Sequence, residues 1–273
     1  MANGYYYLIS ALPELNLTDK ELKYTMISYR TSVMEQLDYK DANLLKILYY
    51  PFDIINLINL IKDSEDDWDE RGNYTKDQLF EMLELPDSLP EFMQNFVEQT
   101  QSEWKKKTGK ELLNKATEIF VDWSREAPNK FLREWLYFDQ NLKNLLIYLN
   151  SHKFELDAKQ EVLGQNYEAM YLRNTPFEDL NLRSWDLPFK EALTQFDNPN
   201  VAIREFVIDE MRWNYLEDLE ENYSFGIERL LAFAIKLQII NRNIEDKEED
   251  GKMRLQQLQE NIKEAYKMPE TFN

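Results

Sequence analysis

Trp135, Phe138, Leu142, Leu145 and Leu149 follow one another at alternating three- and four-residue steps. An α-helix gathers that spacing into one stripe; a strand, whose side chains alternate every second residue, does not. A second stripe runs through Ile227, Leu230, Leu231, Ala234, Leu237, Ile244, Leu255, Leu258 and Ile262. Only 6 glycines and 9 prolines punctuate the chain. A fold of many short strands needs more turns than that, so the expected class is all-α. At 273 residues with 43% hydrophobic content, a chain can bury about 75% of the surface its unfolded form exposes.

The breaks divide the helical run. Tyr5 to Leu12 is a short apolar segment that suits an edge strand or a first helical turn, closed by Pro13. Thr18 with Glu21 three residues on predicts a capped helix start. A helix is expected from about Asp41, restarting after Pro51, and the acidic stretch Asp63 to Asn73 reads as a loop. Pro90, as a first helical residue, is expected to open a long helix reaching Ala127, relieved near Gly109. Asn174 to Pro188 reads as a loop, Asn198-Pro199 as the cap and first residue of a helix, and Ser224 as the cap of a last helix running to about Ala265.

Charge and cysteine usage narrow the function. With 51 acidic against 32 basic residues the net charge is -19, which repels phosphate backbones and anionic lipid headgroups and argues against nucleic-acid binding. There is no cysteine, so disulfides, thiolate catalysis and sulfur-ligated metals are excluded, as suits a cytoplasmic location. The start "MANGYYYLISALPEL" lacks the basic region of a signal peptide. No apolar stretch reaches the ~18 residues of a membrane span, so direct membrane insertion is not expected.

Candidate chemistry meets an ordinary structural reading at each point. Asp67, Asp69 and Gly72 match part of a calcium-loop template, but Arg71 stands where an oxygen ligand belongs and Gln78 where a bidentate glutamate belongs. The charged segments 63–73 and 245–250 read as solvated surface. His152, the single histidine, lies between Ser151 and Lys153 at an expected helix end. There it would donate to the last carbonyls rather than serve as a catalytic base. Lys107-Thr108-Gly109-Lys110 lacks the upstream glycine and the hydroxyl of a phosphate-binding loop. The lysines at 105–107 read as an exposed helix face. No catalytic, metal or cofactor site is expected.

Asp41-Ala-Asn43-Leu44 and Asp139-Gln-Asn141-Leu142 begin the same ten-residue pattern, Asp-x-Asn-Leu-x-x-φ-Leu-x-Tyr, about a hundred residues apart. A poorer echo lies at Glu228-Arg-Leu230-Leu231. The acid and amide are expected near a helix start, capping amides or bridging to a neighbour, in two equivalent units. The helix Asn141-Leu142-Lys143-Asn144-Leu145-Leu146, preceded by Asp139, resembles the Asn-Leu-Lys-x-Leu-Leu helix of the C-type central-stalk subunit of V/A-type rotary ATPases (d-type in the eukaryotic V-ATPase). Together with "YYYLISALPEL" and "IERLLAFAIKLQIINR", it is similar to the divergent form of that family found in bacterial V-type ATPase operons. Ile147 stands where the family usually has an arginine.

That resemblance implies an all-helical funnel of three similar units, here 1–85, 86–188 and 189–273, in one continuous assembly. It implies a non-catalytic central-stalk subunit that holds the foot of the rotating shaft on the proteolipid ring, peripheral to the membrane and without a cofactor. Its partners would be the central-stalk subunits and the ring of a proton or sodium pump. A helical adaptor or scaffold unrelated to ATPases fits the same residues, and an enzyme would have to use His152.

Overall fold

The computed structural model describes residues 5–64, 68–182, 185 and 189–245. They are all-helical, with no strand among the described residues. The helices are α1 (Tyr6–Ser10), α2 (Met26–Met34), α3 (Tyr39–Ile47), α4 (Tyr50–Ile61), α5 (Lys76–Glu84), α6 (Glu91–Thr100) and α7 (Gly109–Ser124). They continue with α8 (Lys130–Lys153), α9 (Ala158–Glu161), α10 (Tyr167–Asn174), α11 (Lys190–Gln195) and α12 (Val201–Glu220). Residues 227–245 form α13.

Side-chain caps set most of the starts, and several differ from the expected ones. Tyr5 to Leu12 resolves as the single turn α1, not a strand. No helix starts at Thr18; Asp19 Oδ2 accepts from the Asn16 amide at 2.9 Å and closes a turn instead. The box forms at Thr25, whose hydroxyl accepts from the Ser28 amide while the Ser28 hydroxyl accepts from the Thr25 amide. Asp38 caps α3, so Asp41 falls inside its first turn. Pro90 is the N-cap of α6 rather than its first residue. The expected helix from Pro90 to Ala127 is two helices, because Thr108 and Glu111 make a fresh capping box that starts α7 at Gly109. Asn198 accepts from the Asn200 amide at 3.0 Å, which moves the cap of α12 to Asn200. The last helix begins after Gly226, not Ser224, and its expected continuation to Ala265 lies outside the described residues.

The core sits around α13. Leu230, Leu231, Ala232, Ala234, Leu237 and Ile240 are all buried, so the helix is enclosed on every side. Tyr29 donates to the Leu230 carbonyl at 2.7 Å and its ring packs on Phe233, which ties α2 to α13. Gln238 reaches the Leu48 carbonyl at 3.3 Å. Tyr50, Phe92, Phe120 and Trp123 interlock α4, α6 and α7, and Phe138 stacks on Tyr215 at 3.8 Å between α8 and α12. One core cluster runs from Met26 to Ile239 and draws on all three expected units. Among the described residues no single helix is long and apolar enough to cross a membrane. The α3–α4 pair passes by length and composition together, but it bends by 66° and supplies core residues such as Leu45 and Leu57.

Candidate functional site: an ion network between three helices

Asp139 lies in the middle of α8, not near its start. Its Oδ2 accepts from Lys143 at 2.7 Å, one turn on, and its Oδ1 accepts from Arg212 Nε of α12 at 2.7 Å. Arg212 also reaches Asp209 Oδ1 at 3.1 Å, and Arg242 of α13 donates to the same oxygen. Asp209 and Arg212 are both buried. Three of the longest helices are thus joined by an alternating chain of charges: Lys143, Asp139, Arg212, Asp209, Arg242. A second link between α12 and α13 lies at Glu220, which holds Arg229 at 3.0 Å and also pairs with Lys236.

Electrostatics follow from this order. Burial pushes the Asp139 carboxyl up, but Lys143 and Arg212 outweigh it and hold the group below the usual carboxylate range. Burial wins at Asp209, whose carboxyl stays above that range despite Arg242 and Arg212. Arg212 loses solvation yet is kept more firmly charged by the two aspartates. The network is suited to fixing the register of helices. Removing one member strands a buried charge, which destabilises far more than the intact pair stabilises.

A family model described as "Protein of unknown function (DUF2764)" matches residues 1–266. The chain belongs to the DUF2764 family. No curated protein and no solved structure matches it. The DUF2764 match spans every residue of the ion network.

The amides beside Asp139 do separate work. Asn141 donates to the Tyr137 carbonyl at 2.9 Å and accepts from Asn166 at 2.8 Å. Asn144 exchanges two hydrogen bonds with the Leu163 backbone, at 2.7 and 3.0 Å. Both asparagines are buried, so they latch the segment after α9 onto α8. Leu142 is core and Lys143 is exposed apart from its bond to Asp139. A cleft of about 440 Å³ opens beside Asn141, walled by Val121, Leu136, Tyr137 and Tyr215.

Asp41 stands elsewhere. It accepts from the Tyr5 hydroxyl at 2.5 Å and its amide donates to Asp38, while Asn43 is half-buried on α3. The two Asp-x-Asn-Leu segments therefore share a sequence pattern but not a position in the helix or a set of partners, and the expectation of equivalent places fails. Short polar side chains before a leucine pair suit both a helix start and a mid-helix latch, which is why one pattern serves both.

His152 is exposed in the last turn of α8 and stacks on Phe177 with ring centroids 3.9 Å apart. No carboxylate partner joins it among the described residues. Asp67 lies outside the described residues; Asp69 is bound by Arg71 at 2.7 Å. Among the described residues no group of three or more His, Asp or Glu side chains could hold a metal ion.

A further buried cluster has no counterpart among the sequence expectations. Asp53 on α4 is fully buried and accepts from the Asn73 amide and side chain, both at 2.6 Å, and from the Tyr74 amide at 3.2 Å. Asn56 exchanges bonds of 2.8 Å with the Asp69 backbone. Arg30 donates to the carbonyls of Arg71 and Gly72. Burial, only partly offset by these hydrogen bonds and by Arg30, raises the Asp53 carboxyl to about 6. The sequence signal for it is an Asp and an Asn three residues apart within the apolar run of α4.

Proposed function

We propose that this chain is a non-catalytic coupling subunit of a V/A-type rotary ATPase, linking the central shaft to the membrane proteolipid ring. The observation that carries the reading is the charge chain from Lys143 through Asp139, Arg212 and Asp209 to Arg242, which clamps α8, α12 and α13 together. A part that passes torque must not yield where its long helices meet. Close packing resists compression, and a buried charge chain resists sliding because any slip strands a charge. The aromatic interlocks at Tyr50, Phe92, Phe120 and Trp123 pack α4, α6 and α7 together as well. The resemblance carried by Asp139 to Leu146 and by the two terminal segments supports the same assignment.

In this reading the protein uses no cofactor, binds no nucleic acid, and is held at the cytoplasmic face of the membrane through the complex. The net charge of -19 suits a basic shaft foot and speeds assembly by long-range attraction. An assembly rate insensitive to salt would remove that part of the account.

The test is purification of the tagged protein from native membranes in mild detergent, with identification of what accompanies it. Central-stalk subunits and the proteolipid are expected in fixed proportion. Recovery with unrelated proteins and none of these would overturn the proposal and favour a helical adaptor of another kind.

A further inference from the structure

Lys105, Lys106 and Lys107 do not form a helix face. They occupy the turn between the short 3-10 segment Gln101–Glu103 and α7. That turn is held from within. Lys62, at the end of α4, donates to the Trp104 carbonyl at 2.5 Å and to the Lys107 carbonyl. Trp104 Nε1 donates to Thr100 Oγ1 at 3.0 Å, and the amides of Lys106 and Lys107 both donate to the Glu103 carbonyl, at 2.8 and 3.0 Å.

Beside the turn an open groove of about 730 Å³ runs between α7 and the α9–α10 segment, with Lys107, Lys110, Lys115, Lys159 and Arg173 along it. The acids of the groove are already engaged. Glu111 caps α7 through the amide and hydroxyl of Thr108, both at 2.8 Å. Glu161 holds Lys110 at 2.7 Å, and Glu118 holds Lys115 at 3.2 Å.

Several cations are not neutralised. Lys105, Lys106 and Lys159 are exposed, and none pairs with a carboxylate among the described residues. Lys62 and Arg173 give their hydrogen bonds to carbonyl oxygens rather than to carboxylates. Gathering like charges on a pinned turn opposes folding, and it does so in a chain whose net charge is -19. Lys107 is paired with Glu103 at 2.7 Å, so Lys105, Lys106 and Lys159 are the exposed cations that this turn and groove present to a partner.

We propose that this groove docks an acidic polypeptide segment of a partner protein. Carboxylates spaced along a strand or helix can meet the lysine turn on one side and Lys159 on the other. A flat anionic bilayer would instead bring the acidic remainder of the surface against its own charge. The inference stands apart from the rotary-ATPase reading, since it rests on the groove alone.

Fluorescence anisotropy with a labelled peptide of about ten glutamates tests it. The full chain is expected to bind saturably at low ionic strength and to weaken with added salt. Lys105→Glu with Lys106→Glu, and separately Lys159→Glu, should each cost about tenfold in affinity with an unchanged melting temperature. Lys20→Glu with Lys23→Glu makes the same charge change at exposed sites elsewhere and should stay within about twofold. Equal binding by all variants would overturn the proposal. So would binding by the native chain to phosphatidylcholine vesicles carrying about 30% phosphatidylserine but not to the peptide.

Discussion

Gly72 has no room for a methyl group. A Cβ there would sit 2.6 Å from Asp53 Oδ1 and 3.0 Å from Asn56 Nδ2, and both side chains are fully buried and pinned to the loop they hold. Gly72→Ala should cost about 1–3 kcal/mol in urea denaturation, the usual penalty for forcing atoms into a packed site. An unchanged midpoint would show that the Asp53 cluster is slack. Asp53 also makes a pH prediction. Its folded carboxyl is raised to about 6 by burial, against roughly 4 unfolded. Its contribution to stability is therefore complete below about pH 4 and is lost as pH rises through about 6. Asp139 has the opposite sign: its folded value is depressed, so its contribution is present above about pH 4 and lost as pH falls further. The stability of the native chain relative to Asp53→Asn should fall by roughly 2–3 kcal/mol between pH 4 and 6.5. A flat difference would place the Asp53 carboxyl at its ordinary value. Neither this glycine nor this aspartate is legible in the sequence, because what distinguishes them is a contact between residues 19 positions apart in a loop and a helix.

At the scale of elements, Arg212 is the joint between α8 and α12. Arg212→Met leaves Asp139 and Asp209 facing each other across a buried gap, and should cost about 3–5 kcal/mol. Adding Asp139→Asn should recover part of that loss, because the stranded charge is what makes the single change so destabilising. Additive losses in denaturant titrations would mean that the two residues are not coupled. His152→Ala removes only an exposed ring stacked on Phe177, so a change within about 1 kcal/mol is expected. The helices themselves are readable: the stripe from Trp135 to Leu149 lies within α8, and the Ile227 stripe marks α13. Their starts are less so. Thr18 and Thr25 both precede a polar residue at the third position, and only tertiary context, here Tyr29 docking on α13, selects the second. The run from Pro90 to Ala127 reads as continuous because lysines favour helices, while Lys62, distant in sequence, holds them in a turn.

For the whole molecule, the all-helical class follows from spacing and sparse punctuation, whereas the arrangement of helices does not. The repeat at Asp41 and Asp139 suggests two equivalent units, yet the structure gives one residue a capping turn and the other an interhelical charge chain. The ion network is hidden for a related reason. Asp209 and Arg212 are three apart on α12, and so resemble an exposed helical pair, until burial against α8 and α13 turns them into a clamp. If that clamp serves to transmit rotation, the protein's absence should separate the two activities of the rotary enzyme. The direct measurement is ion pumping and ATP hydrolysis side by side in native membranes depleted of the protein and then resupplied with it. For a coupling subunit, hydrolysis is expected to persist while pumping collapses, and pumping to return with the native chain but not with Arg212→Met. Pumping and hydrolysis both unaffected by depletion would contradict that role.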